Sequence, residues 1–70
     1  MIPLTLANVG EENIIRKVGG NDELKQHLAD LGFVVGANVK LMNSINGNII
    51  VSIKETRIAL NEDMARRIMI

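Results

Sequence analysis

Glu23, His27 and Asp30 are the residues whose types and spacing come closest to a chemical site. They fall at i, i+4 and i+7, so on a helix a carboxylate, an imidazole and a second carboxylate share one face. Carboxylate oxygens and imidazole nitrogens are ligands for divalent transition metals, which makes weak divalent-metal binding one reading of the three. The other is a solvated helix face with Glu23 and His27 at pair spacing. Three ligands spread over two turns of one straight helix rarely converge on an ion without ligands from elsewhere. The chain has a single histidine and no cysteine, so His-pair and thiolate sites are excluded. No other cofactor is expected.

Catalysis has no constellation to rest on. A nucleophilic triad needs a base oriented by a third group, and no motif around His27 supplies one. Gly19-Gly20 lacks the following Lys-Ser/Thr that completes a phosphate loop. The chain reads as a binding module rather than an enzyme.

The elements that must position these residues follow from pattern. Leu24, Leu28 and Leu31 recur at i, i+4 and i+7 and form one apolar helical stripe. Asn21 or Asp22 caps its start, Asp22 and Glu23 suit the positive end of the helix dipole, and Gly32 stands where a left-handed terminator belongs. Around this helix lie strand patterns. Residues 4–10 form an extended lead-in and turn. Asn13–Val18 is the first strand, with the adjacent pair Ile14 and Ile15 breaking its alternation. Asn38–Asn43 is the second, Val39 and Leu41 on one face, Lys40 and Met42 on the other. Asn46-Gly47 predicts a type I′ hairpin turn into a third strand, Asn48–Lys54, with Ile49, Val51 and Ile53 inward. Thr56–Leu60 is a fourth, with Ile58 and Leu60 inward. Asn61 caps a short turn through Ala65, and Arg67–Ile70 closes the chain as a last strand.

Composition sets the boundaries. Seventy residues make one domain; at this size only about 60% of the unfolded surface is buried, and stability is marginal. Without cysteines, cohesion must come from aliphatic packing. The residues are 47% hydrophobic with Phe33 as the one aromatic, and the β-branched bias favours strands. Eight Lys and Arg balance eight Asp and Glu, and nucleic-acid binders usually carry a basic face with stacking aromatics, so nucleic acid is not an expected partner. No apolar run approaches the roughly 20 residues of a membrane span, and the first residues lack the features of a signal peptide. The chain is expected to be soluble and cytoplasmic. The expected fold class is all-β: a small barrel of about five strands with one short helix between the first and second, which also removes exposed sheet edges.

Leu28-Ala29-Asp30-Leu31-Gly32-Phe33, Gly36 four residues after Gly32, Val39, then Gly47-Asn48-Ile49-Ile50-Val51 and Arg57-Ile58-Ala59-Leu60 with an acidic turn and closing apolar strand resemble the FeoA family. The resemblance runs from Leu4 to Ile70. It implies an SH3-like barrel, also seen as the C-terminal domain of iron-dependent repressors of the diphtheria-toxin-repressor type. It implies a cytoplasmic, non-enzymatic role in bacterial ferrous iron uptake by contact with the membrane GTPase transporter FeoB. A second role compatible with it is a metal-responsive module acting in trans on a DNA-binding or other partner. The chain departs from the family at Asn46-Gly47-Asn48-Ile49, where a Pro is common, and at Glu55-Thr56, where Gly and an aromatic are common.

The candidate partner surface is the turn Gly32, Phe33, Val34 and Val35 together with Met42 and Ile50. Alternation places Met42 and Ile50 outward and close across the hairpin, as an apolar contact for a partner or for a second copy. Phe33 also reads as core, as does the leucine stripe. Arg66 and Arg67 with Arg57 and Lys54 form either a basic patch near the closing edge or a solvated edge balanced by Glu55, Glu62 and Asp63.

Overall fold

A computed structural model describes residues 1–70. A 3-10 turn at Leu4–Leu6 leads into β1 (Glu12–Ile14), β2 (Lys17–Val18), α1 (Asp22–Asp30), β3 (Asn38–Ile45), β4 (Asn48–Ile53), β5 (Thr56–Asn61), α2 (Glu62–Arg66) and β6 (Ile68–Met69). The strands form an antiparallel sheet in the order β1-β3-β4-β5 and a ribbon of β2 with β6. Pro3 bridges to Met69, and Ile2 and Ile70 exchange backbone bonds of 2.9 and 2.8 Å. This is the expected mostly β barrel, with six strands rather than five.

The extra strand arises at the isoleucine doublet. The expected single strand over residues 13–18 is two, because the chain changes sheets at Ile15 and Arg16. Ile15 donates its N–H to the Ala37 carbonyl (2.9 Å) and accepts from Gly36 N–H (2.8 Å), whereas Arg16 donates to the Met69 carbonyl (2.8 Å). The switch also separates the two side chains: Ile15 is wholly buried, Ile14 is 48% exposed.

Helix α1 starts and stops as its residues dictate. The N-cap is Asn21, whose Oδ1 accepts from Leu24 N–H at 2.8 Å, one of the orphan donors of a helix start. At the other end Gly32 adopts φ +102°. Its N–H reaches the Ala29 carbonyl and the Phe33 N–H the Leu28 carbonyl, each at 2.9 Å. This is the Schellman pattern, with an apolar contact between its end residues. Leu28 and Phe33 are both fully buried, and Leu24 and Leu31 pack partly buried against them.

Two turns set the strand faces. Asn46 (φ 50°) and Gly47 (φ 81°) make the expected hairpin. Before it, a β-bulge shifts the β3–β4 register between Leu41 and Asn43. Since one extra residue exchanges the two faces, Ile45 lies opposite exposed Asn48 and is itself 50% exposed. The Leu41 carbonyl, beside the bulge, accepts from Gly10 N–H at 2.8 Å. After β4, Lys54 (φ 49°) and Glu55 (φ 63°) form a two-residue turn in left-handed backbone, so Lys54 leaves the strand it was assigned to.

The core is one cluster of 13 apolar residues with no buried polar side chain. Deleting the Leu28 side chain removes a fully buried group, and Leu28→Ala lowers unfolding free energy by about 2–5 kcal/mol; an unchanged denaturation midpoint contradicts this. Glu55 is exposed and strained, so Glu55→Gly raises stability by about 0.5–1 kcal/mol, read as a higher midpoint at constant m.

Candidate functional site

On α1, Glu23, His27 and Asp30 are all exposed, and the structure does not bring them together. Glu23 and His27 flank a shallow hollow with Asn21 and Leu24. The Asp30 carboxylate accepts instead from Gln26 Nε2 at 2.8 Å, one turn back along the helix. Nowhere do three His, Asp or Glu side chains stand in reach of one ion. Common helix-face spacing is therefore not convergence: side chains stacked along a straight axis point outward in parallel, and no neighbouring element brings a further ligand.

The turn after α1 is the better-built feature. Gly32 and Phe33, named above as contact residues, are buried and anchor the turn from within, as the core reading of Phe33 has it. A Cβ at Gly32 would lie 3.7 Å from the Lys54 side chain and 3.8 Å from Ile53, so the turn packs against the end of β4. Val34 (41%) and Val35 (67%) are exposed. Backbone bonds hold them: Val34 N–H to the Gly32 carbonyl (3.0 Å), Ala37 N–H to the Val34 carbonyl (3.1 Å), and Gly36 N–H to the Ile15 carbonyl (2.8 Å). The last bond lays the turn alongside Ile15, the residue that follows exposed Ile14. Ile14 was missed in the sequence, where its signal was the doublet itself: of two consecutive isoleucines in a strand, one must face away from the core.

Met42 and Ile50 are partly exposed, and the bulge sets Met42 and Asn43 together opposite Ile50. The ladder pairs Ile50 with Asn43, and Met42 is the extra residue.

The charged groups also regroup. Lys54 lines a polar groove of ≈ 460 Å³ with Glu12, Lys40, Ser52, Glu55 and the 36–38 backbone. Its acids and bases interleave across the sheet through the register pairs Glu12–Lys40 and Lys40–Ser52. Arg57 stands on β5 opposite Ser52. Arg66 and Arg67 line a separate groove with Lys17. Of the four cations weighed as a basic patch or a solvated edge, Lys54 therefore lines one groove and Arg66 and Arg67 another.

The model of the FeoA domain family matches residues 2–70. The chain belongs to the FeoA family. It is 34% identical over 70 residues to the Methanocaldococcus jannaschii protein named Fe(2+) transport protein A, covering all of this chain and 85% of that relative. Among solved structures it is similar to an iron uptake regulatory protein, FeoA, with TM-score 0.88 and 29% identity over 97% of this chain and 90% of the other. The zinc complex of Stenotrophomonas maltophilia FeoA, described as an SH3 domain protein, matches with TM-score 0.84 and 24% identity over 99% and 88%. A manganese-dependent transcriptional repressor shares the fold over 94% of this chain and 38% of its own, with TM-score 0.82 and 16% identity. At that identity the repressor likeness is one of fold. This member of the family has an SH3-like barrel, and no helix in it is long and apolar enough to cross a membrane.

Because the α1 side chains act separately, Glu23→Ala and His27→Ala leave Mn²⁺ affinity unchanged in calorimetric titration. Saturable binding abolished by both substitutions would show that they converge on one ion.

Proposed function

We propose that this FeoA-family protein is a non-enzymatic, cytoplasmic accessory of ferrous iron uptake that acts by direct contact with the membrane GTPase transporter FeoB. Membership of a family of ferrous iron transport proteins supports the process. The observation that carries the mode of action is the exposure of Val34 and Val35 on a turn whose backbone is pinned by hydrogen bonds to Ile15, with exposed Ile14 the residue before it. Apolar side chains held exposed by a rigid frame bind with little further loss of conformational entropy, and such patches mark contact sites. The polar groove lined by Glu12, Ala37, Asn38 and Lys40 borders the same turn. It supplies the hydrogen-bonding rim that surrounds an apolar contact.

The alternative role, a metal-responsive module acting in trans, is supported by the fold likeness to a metal-dependent repressor and by no assembled ligand set. The accessory reading is preferred on that ground.

Titrating labelled protein with the cytoplasmic GTPase region of its own FeoB, with and without a GTP analogue, tests the contact. Amide shifts centre on residues 14 and 34–37, and Val35→Glu weakens binding by roughly tenfold or more, the scale of a central contact residue. No shift in any condition, or shifts confined to other faces, overturns it.

A further inference from the structure

Lys17 on β2 and Arg66 and Arg67 at the end of α2 line one shallow groove floored by Gly19 and Met69. Backbone pairing assembles it. Lys17 stands opposite Met69, Gly19 N–H donates to the Arg67 carbonyl at 2.7 Å, and Arg16 N–H to the Met69 carbonyl at 2.8 Å. Three of the eight Lys and Arg of the chain therefore line this one groove. No carboxylate lines the groove. Arg66 shares an exposed pair with Asp63, the one ion pair in the structure, and Lys17 and Arg67 have none. The stem of Arg67 is held down: a Cβ at Gly20 would lie 3.1 Å from its Cδ. The glycine therefore gives that side chain its seat.

We infer that this groove docks an extended acidic segment of a partner protein, its carboxylates on Lys17 and Arg67 and an apolar side chain against Met69. The guanidinium fork matches a carboxylate in two parallel hydrogen bonds, and methionine adapts its shape to whatever apolar group is laid on it. The three cations that line the groove match the few carboxylates of a short segment, whereas an anionic membrane or a nucleic acid is held through a broader cluster of Lys and Arg. The attraction here is local, confined within the roughly 10 Å screening length of 0.1 M salt. Docking of this kind uses none of Ile14, Val34 or Val35 and is independent of the transporter contact.

The test uses the labelled full chain and three probes: a capped peptide of alternating glutamates and leucines, its glutamine counterpart, and phosphatidylcholine vesicles containing phosphatidylglycerol. Amide shifts from the glutamate peptide concentrate on residues 17–20 and 66–69, and its affinity falls as salt is added. Lys17→Glu and Arg67→Glu each lower that affinity about tenfold, the equivalent of one charge-assisted contact. Lys25→Glu, the same change of net charge outside the groove, leaves it unaltered. The milder Lys17→Gln and Arg67→Gln repeat the ordering should a charge reversal disturb folding. An equal response to the glutamine peptide, shifts elsewhere, no saturable shift at millimolar peptide, or stronger movement of the same amides by vesicles each overturns the assignment.

Discussion

The barrel depends on one backbone constraint, the transfer of the chain between sheets at Ile15 and Arg16. Two consecutive residues satisfy their hydrogen bonds on different elements, Ile15 with Gly36 and Ala37, Arg16 with Met69. Buried Ile15 must have its backbone polar groups paired, and with the Arg16 bond beside it this handover holds β1 on β3 and β2 on β6 at the same time. It places Ile15 at the centre of the aliphatic core. A chain of this size has no disulfide to close the barrel instead, and closure rests on those bonds and the apolar contacts they permit.

The constraint propagates to the surface. Gly36 can meet Ile15 only because α1 ends abruptly at Gly32, where a left-handed glycine and the paired burial of Leu28 and Phe33 turn the chain back on itself. The same folding-back exposes Val34 and Val35. The exposure of these valines is therefore a by-product of how the helix is terminated, and the backbone bonds that terminate it also hold them in place. The bulge at Met42 acts in a comparable way on the hairpin, exchanging the faces beyond it and releasing Ile45 to the outside.

Charge is arranged by the same topology. The formal balance of the sequence conceals a division: acids and bases interleave over the polar groove, whereas the ribbon of β2 and β6 collects cations from positions nearly 50 residues apart. Neutral overall and locally basic, the molecule is suited to short-range recognition.

Much was legible in the residues themselves. The leucine stripe with Asn21 and Gly32 determined the helix and both ends, since caps and periodicity are local physics. Asn46-Gly47 determined a hairpin, because a type I′ turn demands its backbone angles. The alternation in Ile49, Val51 and Ile53 determined which face of β4 is buried, and the motif run from Leu28 to Leu60 marked the family. What only the tertiary structure decided depends on partners distant in sequence. Which isoleucine of the doublet enters the core, where the strand over residues 13–18 breaks, and whether Arg66 joins Lys54 or Lys17 are set by pairing to residues 36, 37 and 69. Spacing on α1 showed that Glu23, His27 and Asp30 share a helix face, yet their failure to converge was decided by the absence of any second element folded over that face. Periodicity reports direction relative to one axis; convergence requires two.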